Sequence, residues 1–157
     1  MNKCIACIRN LFFTPHPLST MEADIDHTKH ALSGSTYLNT SPFVPQIKYG
    51  KVLKVCDGHT IIISAQMPHH MVSIFRFSVC LRGIDSPKFN TPNPFEKHAA
   101  ILSRDALNSL LYDNIVILQN VSAEKNGRIV ADIYLNDLHV NKWMLDHHYA
   151  DKCDGKK

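Results

Sequence analysis

The chain has 157 residues, of which 45% are hydrophobic and 20% are charged, so it is long enough for one globular domain with a real core and too short for two ordinary domains. Its formal net charge of +3 is mild, which is compatible with a polyanionic partner but does not require one. The five cysteines are odd in number and irregularly spaced, which argues against a disulfide framework and favours a reducing compartment. No run approaches the ~20 apolar residues that a membrane-spanning helix needs.

Residues 1–13 form a short amphipathic segment. Apolar and cysteine side chains fall on one face at helical spacing, whereas Lys3 and Arg9 fall on the other. One interpretation is an interfacial helix, palmitoylated on Cys4 and Cys7, that holds the protein at a membrane surface. The other is a frayed terminus or a helix docked on the domain. We therefore expect an intracellular, cytoplasmic protein, and peripheral membrane contact through residues 1–13 stays open as an alternative.

The next segment, residues 14–46, is poor in regular pattern. It contains four prolines, many serine and threonine residues and little periodicity. This composition predicts a linker or flexible arm that contributes no core.

From residue 47 onward the sequence alternates between strand-like and helix-like patterns. Asp57-Gly58, between the first two strands, is a strong turn dipeptide. Alternating apolar residues predict strands over 51–56, 60–64, 71–81, 114–121 and 128–135. Apolar residues at helical spacing predict helices over 95–112 and 138–148, with a buried stripe of Ala99, Leu102, Ala106, Leu110 and Leu111 on the first, and of Val140, Trp143 and Met144 on the second.

The order β-β-β-α-β-β-α with short strands predicts an α+β, mainly β fold. The arrangement that fits is a five-stranded antiparallel barrel of the OB kind with two helices, over residues 47–155. The N-terminal arm precedes this domain, and we expect the protein to be a monomer.

Two bends of this predicted barrel carry carboxylates. Asp57 lies in the turn after the first strand, and Asp85 follows the third strand. Acid-bearing bends at the ends of neighbouring strands are a common way to build oxygen-ligand metal sites and phosphate-handling sites. The two bends therefore mark the candidate site.

Four short motifs stand in order along the same region. They are 55–61 (VCDGHTI), 81–87 (LRGIDSP), 126–134 (NGRIVADIY) and 140–150 (VNKWMLDHHYA). They resemble the patterns V-x-D-G-D-T, L-x-G-I-D-[AST]-P-E, Y-G-R-x-x-A-x-[IV]-Y and V-N-x-x-[ML]-[LV]…G-x-A of the staphylococcal-nuclease, or thermonuclease-like, domain family. The resemblance implies an OB barrel with helices, Ca²⁺ as cofactor, DNA or RNA as partner, and hydrolysis of phosphodiester bonds as activity.

The resemblance also implies roles for particular residues. Asp85 takes the position of the main carboxylate ligand of the metal, and Ser86 the position whose backbone carbonyl completes the ligand set. Asp57 takes the position of an outer acidic residue near the metal. Arg128 takes the position of an arginine that contacts the phosphate, for which a guanidinium fork is well suited.

Three catalytic positions depart from the family pattern. His59 stands where the family has a second aspartate ligand, and imidazole is a poor ligand for a hard ion such as Ca²⁺. Lys88 stands where the family has a glutamate base, and a cationic ammonium group cannot accept a proton. Cys80 stands where the family has its first phosphate arginine. Arg82 shares the strand face of Cys80 but lies a full pleat away, so we do not expect it to replace that arginine.

Three functions follow from this combination. The first is a domain that engages the phosphodiester backbone with hydrolysis weak or lost. The second is an active nuclease with an altered metal preference, in which His59 and Asp85 hold Mn²⁺ or Zn²⁺, ions that accept imidazole. The third is a non-catalytic adaptor whose barrel binds a protein partner.

Overall fold

The computed structural model describes residues 18–68, 72–124 and 128–153. The amphipathic segment 1–13 with Cys4 and Cys7 lies outside the described residues, as do Asn126 and Gly127 of the third motif. The chain divides into two compact units, Met1–Ser41 and Pro42–Lys157.

The first unit contains helix α1, Leu18–Ser33. The sequence predicts no regular element here, because residues 14–46 show little periodicity. Residues 18–33 nevertheless contain neither proline nor glycine, so local helix propensity is sufficient without an apolar stripe. The described side chains from His27 to Ser41 are exposed, so this stretch of the unit builds no core of its own.

The second unit contains the remaining strands and helices. The strands are β1 Tyr49–Val55, β2 Thr60–Gln66, β3 Ile74–Leu81, β4 Ile84–Asp85, β5 Ile115–Ala123, β6 Ile129–Leu135, β7 Leu138–His139 and β8 Asp151–Lys152. The helices are α2 Pro94–Leu111 and α3 Val140–Asp146. Pro94 at the first turn and the Asn93 side chain, which accepts a hydrogen bond from the Phe95 backbone N–H, start α2 where the sequence predicts a helix.

The five long strands close into a barrel. The sheet runs β3-β2-β1-β5-β6, and β6 pairs again with β3. The α+β, mainly β fold with an OB barrel is therefore confirmed. The closing pair β3–β6 is parallel, which corrects the antiparallel expectation for that one pair. The reason is the long connection through α2 and β5, which brings β6 back in the direction of β3. The described helices number three rather than two, because α1 precedes the barrel.

The core fills the inside of the barrel and the space beneath α2. Alternate residues of each strand point inward, among them Ile61 and Ile63 of β2, which are fully buried. From α2 the buried residues are Ala100, Ser103, Leu107 and Leu111. The predicted stripe of α2 is thus displaced by about one residue, and Leu102 is exposed. No described helix is long and apolar enough to span a membrane.

Helix α3 is tied to the barrel by a buried asparagine. The side-chain oxygen of Asn141 accepts a hydrogen bond from the Ile133 backbone N–H at 2.9 Å, and its amide group donates to the carbonyl of Arg82 at 2.9 Å. These bonds join α3, β6 and the turn that follows β3. They fix that turn, which leads directly into Asp85.

Candidate functional site

The first acid-bearing turn connects β1 to β2. The carboxylate of Asp57 accepts a hydrogen bond from the backbone N–H of His59 at 2.9 Å, which closes an Asx turn. A Cβ atom on Gly58 would lie 1.8 Å from Oγ of Ser103 and 2.7 Å from Cβ of Ser86. Only glycine therefore allows this turn to pack directly on α2, and that packing sets the position of Asp57 and His59.

The second acid-bearing turn follows β4. The strand is two residues long and pairs with β8, which places Asp85 opposite Asp151. Asp85 is half-exposed, whereas the next residue, Ser86, is buried. The two turns face each other and line one depression together with Lys88.

His59 is the centre of this arrangement. Its Nδ1 atom lies 2.8 Å from Oγ of Ser86, 3.2 Å from Oδ1 of Asp57 and 3.8 Å from Oδ1 of Asp85. The ring nitrogen therefore stands among the oxygen atoms of the two turns. Sequence spacing gives no hint of this placement, because His59 and Ser86 are 27 positions apart.

This donor set does not fit a calcium ion. Ca²⁺ takes about 6–8 oxygen ligands. Here the position of one carboxylate holds an imidazole, whose nitrogen lies within 4 Å of both Asp57 and Asp85, and nitrogen is a poor donor for a hard ion such as Ca²⁺. In the part of the chain that the structure describes, no group of three or more His, Cys, Asp or Glu residues is arranged to hold a metal ion.

Lys88 lies at the rim of the depression, exposed to solvent. Its backbone N–H donates to Oε1 of Glu96 at 3.4 Å, and the hydroxyl of Thr91 donates to Oε2 of the same carboxylate at 2.7 Å. Glu96 thus fastens the loop after Ser86 to the first turn of α2. Both oxygen atoms of its carboxylate bind the loop, so Glu96 supports the position of Lys88.

Cys80 is buried on β3, paired with Thr60 of β2. Burial raises the pKa of the Cys80 thiol above its ordinary value, and the positive charge of Arg128 acts in the opposite direction. The nearby negative charges of Glu124 and Asp57 raise the pKa of the thiol further. A neutral thiol carries no positive charge to attract a phosphate and is only a weak hydrogen-bond donor.

Arg128 stands at the start of β6. Its Nη2 and Nε atoms donate to Oε2 of Glu124 at 2.9 and 3.2 Å. Both side chains are about two-fifths exposed, and an exposed pair of this kind stabilises a fold by only about 0–1 kcal/mol. The guanidinium can therefore exchange Glu124 for a phosphate at little cost.

Arg82 does not replace the arginine that is absent at Cys80. Its guanidinium donates to Oγ of Ser122 at 2.9 Å and to the carbonyl of Asn120. These contacts hold it against β5 and β6. The expectation that Arg82 is no substitute for the family arginine agrees with its geometry.

The predicted site residues thus fall into two groups. Asp57, His59, Asp85, Ser86 and Lys88 line one depression, and Arg128 lies beside Cys80 at the edge of that region. Sequence reasoning did not find Glu124, Glu96 or Ser103. In the sequence, the four-residue spacing between Glu124 and Arg128 was the one indication that these two residues form an ion pair.

Comparison with known proteins agrees with this geometry. A family model described as staphylococcal nuclease homologue matches residues 78–156, just over half of the chain. The match includes Asp85 and Arg128 and begins after the turn of Asp57 and His59. The curated proteins compared with the chain give no match. The chain belongs to the family of staphylococcal nuclease homologues, and its broad function is of the nuclease type, the binding of nucleic acid.

Proposed function

We propose that this protein binds the phosphodiester backbone of DNA or RNA and that Ca²⁺-dependent hydrolysis is weak or lost. The observation that carries the proposal is the position of the His59 ring nitrogen, 2.8 Å from Ser86 and within 4 Å of both Asp57 and Asp85. An imidazole nitrogen thus stands with these oxygen atoms at the position where the resemblance implies a second aspartate ligand. A calcium ion would find one carboxylate fewer here, with an imidazole nitrogen in its place.

The two other altered positions support the same conclusion. Lys88 places a cation where a proton acceptor would be needed to activate water. Cys80 stands where the family pattern has one of two arginines that would neutralise charge on the phosphate as it reacts. In other enzymes the loss of one such donor lowers the rate by on the order of 10²–10³.

Binding does not need the absent groups. Arg128 keeps a guanidinium at the edge of the site, in an exposed pair with Glu124 that a phosphate can replace. A backbone contact of this kind is independent of base sequence, so we expect weak, salt-dependent binding without sequence preference.

The test is a cleavage assay on DNA and RNA oligonucleotides with Ca²⁺, Mg²⁺, Mn²⁺ or Zn²⁺. The unmodified protein should cleave poorly with each ion. The triple variant His59→Asp/Cys80→Arg/Lys88→Glu should gain Ca²⁺-dependent cleavage on the order of 10³-fold, because it restores a ligand, a phosphate contact and a base to an otherwise prepared site. Each single change should gain little, since the groups act together.

The matched control adds Asp85→Asn to the triple variant. It should lose the gain, because the main carboxylate ligand is removed while the fold is kept. Brisk cleavage by the unmodified protein with Ca²⁺, and no gain in the triple variant, would overturn the proposal. Brisk cleavage with Mn²⁺ or Zn²⁺ alone would instead establish an active nuclease with altered metal preference.

A further inference from the structure

The outward face of β1, β2 and β3 carries a second feature that the site above does not use. The pairing of the strands aligns their outward residues in rows that cross the sheet. One row is Lys51, Ser64 and Arg76, and the next is Lys54, Ile62 and Ser78. We call this surface, from Tyr49 and Ile74 at one end to Ser78 at the other, the outer sheet face.

The outer sheet face leads into the candidate site. The row after Ile62 and Ser78 is Thr60 and Cys80, and Cys80 lies beside Arg128 and Asp57. From Ile74 to Cys80 the strand covers about 20 Å at ~3.3 Å per residue. A strand of this length matches the lower end of the binding-site size of one OB fold, which is ~4–16 nucleotides.

The charge of the outer sheet face is of one sign. The three strands carry Lys51, Lys54 and Arg76 and contain no aspartate or glutamate. Lys51 pairs with Asp113 at 2.7 Å, where both side chains are largely exposed. Among the described residues, neither Lys54 nor Arg76 has an acidic partner. Cations without partners on one face of a sheet are complementary to a polyanion.

The same face exposes an aromatic ring and two isoleucine side chains. Tyr49, Ile74 and Ile115 are 54%, 72% and 66% exposed and line a shallow depression together with Lys51 and Ser64. The ammonium group of Lys48 lies 5.4 Å from the centre of the Tyr49 ring. Unstacked bases bind to exposed rings flanked by cations, whereas a duplex keeps its bases inside and offers no such contact.

We propose that the outer sheet face binds single-stranded nucleic acid and directs its backbone toward Arg128 and the depression of Asp57 and Asp85. The proposal rests on the proposed function in taking nucleic acid as the ligand, and it adds the strandedness and the surface. Lys54 and Arg76 contact phosphates, and the ring of Tyr49 stacks on a base. OB barrels present the corresponding strands to oligonucleotides, which is consistent with this placement.

The test measures binding of a fluorescein-labelled oligothymidylate of about 12 nucleotides by anisotropy over a range of salt concentrations. The unmodified protein should bind it more tightly than a duplex of the same length. Lys54→Gln/Arg76→Gln should weaken binding about tenfold at ~0.1 M salt and reduce the salt slope by about 1.4, the value for two phosphate contacts on a single strand. Tyr49→Ala should weaken binding about tenfold with the salt slope unchanged, because it removes stacking and no charge.

The matched control is Lys29→Gln/Lys142→Gln, which removes the same charge from exposed helix positions that belong to none of the three strands. It should bind as the unmodified protein does. All substituted side chains are exposed, and equal melting temperatures will confirm that each variant folds.

Each outcome separates the two proposals. If the unmodified protein binds no oligonucleotide at low salt, the proposed function itself fails. If it binds but both variants of the outer sheet face bind as tightly as the unmodified protein, the outer sheet face is not the binding surface. If it binds the duplex more tightly, the inference that it binds single strands is overturned. The proposed function stands in both cases. If light scattering shows a dimer that Tyr49→Ala separates, the face is an interface between two copies and the inference is overturned.

Discussion

The imidazole of His59 contacts oxygen atoms from two turns that are far apart in sequence. It lies nearest to Oγ of Ser86, and Asp57 and Asp85 stand on either side. This one residue therefore affects which ions the site favours, because an imidazole nitrogen suits transition metals better than it suits Ca²⁺.

Cys80 allows a prediction at the same scale. Burial raises the pKa of its thiol, so at about pH 8 it should react with iodoacetamide more slowly than the exposed Cys153. In the unfolded chain the thiol ionises at a lower pH than in the folded chain. The contribution of Cys80 to stability is therefore present below the ordinary pKa of cysteine and is lost as the pH rises above it.

Mass spectrometry of peptides after timed alkylation will measure both rates. The Cys80 and Cys153 peptides should react at similar rates in urea, and Cys80→Ser should leave the rate of Cys153 unchanged. A folded protein in which Cys80 reacts as fast as Cys153 would contradict its burial.

At the scale of elements, the turn between β1 and β2 depends on its contact with α2. Asp57 and His59 are correctly placed only if the turn approaches Ser103 as closely as Gly58 permits. Sequence periodicity predicted the helix, but not its rotation. Ser103 and Leu107 face the barrel where Leu102 and Ala106 were expected.

Gly58→Ala should therefore destabilise the protein by about 2 kcal/mol, within the range found for overpacked cores. The added Cβ would lie under 3 Å from Ser103 and Ser86, so the turn must move away from α2. Chemical denaturation will measure the change. Gly34→Ala is the matched control, since nothing lies within 4 Å of a Cβ there, and it should change stability by less than about 0.5 kcal/mol. Equal effects of the two changes would show that the contact with α2 does not constrain the turn.

At the scale of the whole molecule, the two units differ in what stabilises them. The described core residues all belong to the unit Pro42–Lys157, and they begin with Ile47, which is buried. Pro45 is buried as well. The sequence predicts a domain that begins at residue 47, and the compact unit also contains residues 42–46 with the buried Pro45.

Removal of residues 1–41 should leave the melting temperature unchanged within about 2 °C, because no described core residue is lost. Removal of residues 1–47 should lower it by several degrees, since it takes away Pro45 and Ile47. Calorimetry of the two shortened chains will show the difference. A large drop for the first truncation would show that residues 1–41 are part of the folded domain.

The sequence by itself determined the order of the five long strands and of helices α2 and α3, the barrel, and the two turns that carry Asp57 and Asp85. These features depend on local patterns: period-2 alternation, an apolar stripe at helical spacing, and Asp-Gly at a turn. The positions of His59, Cys80 and Lys88 could likewise be recognised as altered, because each lies inside or next to a short motif.

The tertiary structure alone decided which side chains meet. Three of its contacts join residues that are far apart in sequence. His59 contacts Ser86, the guanidinium of Arg82 donates a hydrogen bond to Ser122 of β5, and β3 pairs in parallel with β6. The rows of the outer sheet face follow from strand register, where a slip of one residue would turn Lys54 and Arg76 inward. Such relations depend on how the barrel closes and on how close two elements approach, and no local pattern of residues specifies them.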